Sequence, residues 1–334
     1  MVHALPTVAE LEEFAETAGR VRAAMESVIS GRPDLIRLTV AVLLAEGHLL
    51  LEDVPGVGKT TLAKSLARAV DCTVGRIQFT PDLLPSDLTG VSIYRQAQHE
   101  FEFRPGPVFA NIVIADEINR ASPKTQSALL ECMQEAQATI DGTTYQLPRP
   151  FLVVATQNPI EMEGTYTLPE AQRDRFMARL SVGYPGRNAE VEMLERQETA
   201  DPLAAVRPVA SVERIGEMIT VARRLYAAQG IKQYVVDLAE ATRNDPMLRL
   251  GASPRAAIQL LRAAKALAAM DGRDHVLPDD IQDLAVPVLA HRLLPSTDAR
   301  LAGHTVTESI TAIVARTRLP ISGRAAAPDR RATG

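Results

Sequence analysis

The sequence predicts an α/β protein: a core built on a five-stranded parallel sheet between helix layers, an αβα sandwich, followed by a smaller all-helical domain. Three observations predict it. The apolar run His48-Leu49-Leu50-Leu51 passes through a glycine-containing loop into a helical pattern from Thr60 to Ala69. Two further runs, Ile112-Val113-Ile114-Ala115 and Phe151-Leu152-Val153-Val154-Ala155, are continuously apolar, as central strands of a parallel sheet covered on both faces must be. After Tyr184-Pro185-Gly186-Arg187 strand signals give way to helical ones.

Taken in order, residues 9–29 place Leu11, Phe14, Ala18, Val21, Met25 and Val28 at helical spacing, and Gly31-Arg32-Pro33 punctuates before a second helix from Asp34, its cap, to Ala45. Strand 48–51, its loop and helix 60–69 follow. Val74–Phe79 and Ala178–Val182 read as outer strands. Two hairpins interrupt the sheet, Val91–Ile93 against Phe101–Phe103 and Thr139-Ile140 against Tyr145–Leu147, the second around Asp141-Gly142-Thr143-Thr144, a hairpin-turn signal. Helices are then expected at 188–199, 211–228, 232–243, 254–270 and 278–291, with Pro202 and Pro208 marking a connection. The expected division is a core over 1–187, a helical domain over 188–318 and a disordered tail over 319–334, whose PISGRAAAPDRRATG lacks periodicity.

Composition narrows the function. A chain of 334 residues with 46% hydrophobic content can bury one medium and one small core. A net charge of −5 argues against binding nucleic acid or anionic lipid through a broad positive field. Cys72 and Cys132 form no C-x-x-C and no Cys/His cluster, so neither a disulfide framework nor a zinc site is indicated, which suits a reducing cytoplasm. The acidic N-terminus is not a signal peptide, and no apolar run approaches membrane-spanning length. The six histidines show no paired metal spacing.

The stretch Asp53-Val54-Pro55-Gly56-Val57-Gly58-Lys59-Thr60-Thr61 ends as a phosphate-binding loop ends, in the strand–loop–helix context that motif requires. Lys59 would reach the β and γ phosphates, Thr60 would offer its hydroxyl to Mg²⁺, and backbone N–H groups from Gly56 onward would cradle phosphate oxygens. The first glycine of the general signature is here Asp53, at an entrance where turn geometry matters more than phosphate contact. By itself, Gly-Lys-Thr also fits a solvated turn. About 55 residues on, a second apolar strand ends in Asp116-Glu117, which places Asp116 to hold Mg²⁺ and Glu117 to polarise a water at the γ-phosphate. A third strand ends in Thr156-Gln157-Asn158, and Asn158 could orient the same water.

With Leu168-Pro169-Glu170-Ala171-Gln172-Arg173-Asp174-Arg175-Phe176 and Ser253-Pro254-Arg255-Ala256, the chain resembles the AAA+ ATPases, and specifically the MoxR family. "EDVPGVGKTTLAK", "VIADEINRASPKTQSALLECMQE", "ATQNPIEMEGTYTLPEAQRDRF" and "GASPRA" match that family's pattern in order and spacing from about Val28 to about Leu294. The resemblance implies an AAA+ P-loop core with a helical lid. It also accounts for Asp53, since MoxR-like loops often begin with Asp ahead of Val-Pro-Gly.

The resemblance further implies ATP/ADP and Mg²⁺ as ligands, with nucleotide contacts from Asp53, Pro55, Gly56, Val57, Gly58, Lys59, Thr60 and Thr61, metal contacts from Thr60 and Asp116, and Glu117 as the catalytic carboxylate. Asn158 corresponds to sensor 1. Arg175 corresponds to the arginine finger acting on a neighbouring subunit's ATP; Arg173 stands where the family usually has an apolar residue and is the competing candidate. Arg255 corresponds to sensor 2, reaching from the lid to the same nucleotide. Ile29 and Gly31 match the segment near adenine, although Arg32 replaces the family's frequent Gln. The hairpins match two insertions that face the pore of a ring in this clade.

What the resemblance implies for function is a homo-oligomeric ring, a hexamer, acting as a chaperone-like machine on a protein client, with a partner carrying a von Willebrand factor A domain, in maturation or metal insertion. The alternative is a nucleotide-dependent nucleic-acid motor of a related clade, against which stand the low aromatic content, 4%, and the lack of basic runs interleaved with aromatics. A GTPase switch lacks its Asn-Lys-x-Asp element.

Overall fold

The structure, a computed structural model, describes residues 4–158, 165–199 and 201–319. The expected tail from 320 onward, and Pro159 of the third strand's motif, lie outside the described residues.

Helix α1 (Val8–Glu26) starts in a capping box: the Thr7 hydroxyl accepts from the Glu10 amide, and the Glu10 carboxylate accepts from the Thr7 amide. It stops three residues short of the expected end. Gly31 turns the chain at φ +72° ahead of α2 (Pro33–Leu44). Asp34 does not cap α2, because Pro33 takes the first helical position and Arg32 the cap; Asp34 sits inside the first turn, facing the positive end of the helix.

The core then runs β1 (Leu49–Glu52), α3 (Lys59–Ala69), β2 (Val74–Gln78), α4 (Pro85–Thr89), β3 (Gly90–Arg95), β4 (Glu100–Pro105), β5 (Ile112–Asp116), α5 (Pro123–Glu135), β6 (Gln137–Ile140), β7 (Thr143–Gln146), β8 (Leu152–Gln157), α6 (Glu170–Arg173) and β9 (Ala178–Leu180). Five of the strands form one parallel sheet in the order β2-β5-β8-β1-β9, so the continuously apolar runs occupy the centre and the two expected outer strands the edges. Both hairpins form as separate antiparallel pairs, β3 with β4 and β6 with β7, the latter around Asp141 and Gly142 at φ +50° and +79°.

Alternate residues of the central strands feed two cores. Leu49, Leu51, Ile112, Ile114 and Val154 face α1, α2 and α3. Leu50, Val113, Ala115, Val153 and Ala155 face α5 and the hairpins. Helices α4 and α5, absent from the sequence reading, cover that second face; α5 buries Thr125 and Gln126 beside Leu129 and Leu130, which blurs its apolar stripe.

The C-terminal part comprises α7 (Arg187–Thr199), α8 (Pro202–Ala205), α9 (Val212–Arg224), α10 (Gln229–Arg243), α11 (Pro254–Met270), α12 (Pro278–Leu289), α13 (Thr297–Leu301) and α14 (Val306–Arg316). Among its described residues it is helical apart from one short antiparallel pair, β10 (Leu248–Leu250) with β11 (Leu294–Pro295), and an isolated bridge between Tyr226 and His275. The first core continues from the sheet through α1 and α2 into α9, α10, α11 and α12. No helix among the described residues is long and apolar enough to cross a membrane.

Candidate functional site

The sheet order sets β5, β8 and β1 side by side, so their C-terminal ends bring Asp116-Glu117, Asn158 and the loop after Glu52 to one edge. The Asp53 amide donates to the Gln157 carbonyl at 3.2 Å, which ties the loop to the end of β8. This is the switch-point edge at which open α/β sheets bind ligands.

The loop is shaped for phosphate. Gly56 and Gly58 adopt φ of +85° and +93°, a region side chains disfavour, and a Cβ at either would point into open space. Gly58 caps α3, whose first intrahelical bond is Leu62 N–H to Gly58 C=O, leaving the amides of Thr60 and Thr61 without an intrahelical acceptor at the helix's positive end. Pro55 and Gly56 are exposed, while Val57 packs on the first core. Lys59 Nζ donates to the carbonyls of Asp53 at 2.5 Å and Val54 at 3.1 Å, so its ammonium lies across the loop.

Asp53 does not face this hollow. Its carboxylate accepts from Ser181 Oγ at 2.7 Å and the Gly183 amide at 2.6 Å, on the connector between β9 and α7, and from the Val54 amide at 2.8 Å. Burial works to raise its pKa, yet these bonds outweigh it and hold the group below its ordinary value.

Thr60 Oγ1 donates to Asp116 Oδ1 at 3.2 Å. Asp116 is buried, and its other oxygen accepts from Arg76 Nε at 2.9 Å. A hydroxyl touching a carboxylate beside a phosphate cradle fits Mg²⁺, a hard cation that completes its shell with phosphate oxygens and water. Among the described residues no group of three or more His, Cys, Asp or Glu gathers to hold a different metal.

Glu117 holds a left-handed backbone at φ +56°, ψ +51°, an uncommon state for a residue with a side chain. Its amide donates to Thr156 Oγ1 at 2.9 Å, and its Oε2 accepts from Gln78 Nε2 and Arg120 Nη1, each at 2.9 Å. Sequence reasoning missed Arg76, Gln78, Arg120 and Thr156. Alternation along β2 could have placed Arg76 and Gln78 on one face, but only strand order shows that Gln78 pairs with Asp116. Asn158 is buried at the end of β8.

Ile29 and Gly31 line a cleft of about 260 Å³ together with Arg32, Pro33, Glu192 and Arg196. Arg32 donates to the Tyr184 carbonyl, so this cleft and the Asp53 loop converge on the same connector, 181–184.

The arginines lie elsewhere. The Met177 amide donates to the His48 carbonyl at 2.8 Å, which places Arg173, Asp174 and Arg175 beyond the N-terminal end of β1. The four residues of β1 lie between His48 and Asp53, a span of roughly 16 Å at the usual rise per residue. Arg175 Nε donates to Gln134 of α5 at 3.1 Å. Arg255, in the first turn of α11, sits on this same side, because the Ser253 hydroxyl donates to Asp174 at 2.9 Å. Arg255 thus stands with Asp174 and Arg175, beyond the N-terminal end of β1 and away from the phosphate loop of its own chain.

Known proteins share this fold. Residues 48–178 match the family described as "ATPase family associated with various cellular activities (AAA)", and residues 240–313 match "AAA lid domain". The uncharacterized protein YeaC of Bacillus subtilis is 47% identical over 310 residues, 93% of this chain and 97% of that one. Chaperone MoxR1 of Mycobacterium tuberculosis is 45% identical over 284 residues, covering 82% of this chain and 75% of its own. A crystal structure of a candidate ATPase from Cytophaga hutchinsonii superposes with a TM-score of 0.87 at 39% identity, over 93% of this chain and 97% of that one.

Proposed function

The chain belongs to the MoxR family of AAA+ ATPases, and from that premise we propose that it hydrolyses ATP at sites shared between the subunits of a ring, a hexamer, and uses the cycle to remodel a protein client in the cytoplasm. A partner carrying a von Willebrand factor A domain belongs to this reading, which the resemblance to MoxR-type chaperones supports. So does a division into a core over 1–187 and a lid over 188–318.

Each residue has a part. Lys59 leaves the Asp53 and Val54 carbonyls for the β and γ phosphates, and the amides after Gly56 take phosphate oxygens. Thr60 and Asp116 would hold Mg²⁺, which would neutralise charge building on the phosphates. Glu117 accepts the proton of the attacking water once Gln78 and Arg120 release its carboxylate, and Asn158 orients that water. Ile29 and Gly31 border the base. Arg175, with Arg255 beside it, stabilises the transferring phosphoryl group on the neighbouring subunit.

The observation that carries the shared site is the separation of arginines and loop to opposite edges of one sheet. An arginine side chain extends about 7 Å, far less than the strand length between them. A finger of this kind contributes roughly 10³ to 10⁵ in turnover. ATP hydrolysis per subunit should therefore rise steeply with protein concentration, and Arg175→Ala should abolish the rise. Glu117→Gln should keep ATP binding while turnover falls at least about 100-fold. A concentration-independent rate untouched by Arg175→Ala would instead mean a site complete within each chain.

A further inference from the structure

The turn Asp174-Arg175-Phe176 is gripped by the lid from several directions. Asp174 Oδ1 accepts from the Ser253 hydroxyl at 2.9 Å and lies 3.7 Å from Arg292 Nη1. Ser253 caps α11, its Oγ accepting from the Ala256 amide at 3.1 Å, so the bond to Asp174 is made by the residue that orients the turn carrying Arg255. Arg292, 3% exposed in the turn after α12, donates to the Phe176 carbonyl at 2.5 Å and to the Gln259 side chain of α11. His291 Nε2 lies 2.9 Å from the same carbonyl and 3.2 Å from Arg292 Nε.

This bracket is costly to build. Burial pushes the Arg292 guanidinium down to about 10, and Arg255 pushes the same way while Asp174 opposes both. A buried charge with a pair longer than a hydrogen bond is a poor device for stability, since apolar residues of similar volume usually serve at least as well. What the bracket does accomplish is geometric: it locks the start of α11 to the segment that carries Arg175.

We propose that Asp174 and Arg292 are positioning residues that hold Arg175 and Arg255 in one fixed arrangement, so that a subunit presents both arginines together to its neighbour's nucleotide. The inference rests on the shared-site reading above. Lid and finger then move as one body, and a shift of the lid displaces both arginines at the neighbouring site.

The test uses rings assembled from two kinds of subunit. Lys59→Ala subunits present arginines but cannot hydrolyse, and Arg175→Ala subunits hold nucleotide but lack the finger, so turnover arises only where a Lys59→Ala subunit faces an Arg175→Ala site. Asp174→Ala is then added to one kind or the other. In the arginine-presenting subunit it should lower the turnover roughly 10- to 100-fold, the scale of a small misplacement of a catalytic group. In the other subunit, whose arginine face is idle, the loss should be several-fold smaller. Equal losses in both placements would show a merely structural role, and no loss in the presenting subunit would show no role; either overturns the proposal. Should Asp174→Ala not fold, Ser253→Ala in the same two placements removes the tether from the lid side. Absence of turnover in verified mixed rings without Asp174→Ala would overturn the shared-site reading itself, and this inference with it.

Discussion

At Asp53 the backbone makes no demand for glycine: the left-handed positions of the loop are Gly56 and Gly58, whereas Asp53 is not among the residues with positive φ. The side chain is free to do something else, and it fastens the loop to the connector at Ser181 and Gly183. Tolerance of aspartate at that position was legible in the sequence; its partners, some 130 residues away, were not. His48 presents the same contrast. It opens the first strand motif as an apparent filler, yet its Nδ1 accepts from the Val153 amide and its Nε2 donates to the Met133 carbonyl, both at 3.0 Å. Burial pushes its pKa down to about 4, the Met133 carbonyl opposing the shift. The unfolded chain takes up a proton near 6.5 that the folded chain refuses until about 4, so stability should fall as pH drops through that window. Between pH 7.5 and 5.0 this group should remove about 2 kcal/mol. Denaturant unfolding at the two values, with and without His48→Gln, checks it; an acid loss undiminished in the variant would exonerate His48.

At the scale of elements, the hairpins show how much a turn signal can and cannot say. Asp141-Gly142 places the second hairpin correctly because the turn type demands positive φ at both positions. Nothing local indicates that the two hairpins touch. Phe103 of β4 stacks on Tyr145 of β7 at 4.2 Å between ring centroids, and Phe109 closes the cluster edge-on. The far end of the first hairpin leaves Phe101 74% exposed, with the Tyr94 ring 5.2 Å away between centroids. Phe103→Ala should free this hairpin from the second one and cost about 1–3 kcal/mol. Protease cleavage within 95–100 should accelerate in the variant, while rates unchanged from the parent would mean the hairpin stands without the cluster. Helix α5 was not legible, because its buried face includes Thr125 and Gln126, whose bonds to the Leu83, Ile118 and Ala121 carbonyls replace apolar contact.

Across the whole molecule, α1 is the element that joins sheet and lid. Phe14, Val21 and Met25 lie fully or almost fully buried in a cluster that reaches from Leu49 and Ile112 of the sheet to Leu260 and Leu284 of the lid. A core without a seam unfolds as a unit, so calorimetry should show one transition for both parts, and Phe14→Ala should lower it as a whole by about 3–5 kcal/mol rather than split it. Two resolved transitions in the parent protein would contradict that continuity. The sequence by itself determined the loop, the two carboxylates, the strand types and the helical character of the lid, because each depends on neighbours along the chain: glycine's backbone freedom, a helix start, the period of apolar residues. Only the tertiary structure decided which strand ends meet, that Gln78 and Arg120 hold Glu117, and that Arg255 stands with Arg175 and not with Lys59. These depend on strand order, on the packing of α12 against β9 and on the bond from the α11 cap to Asp174, and side chains brought together from such distant positions leave no periodic trace in the sequence.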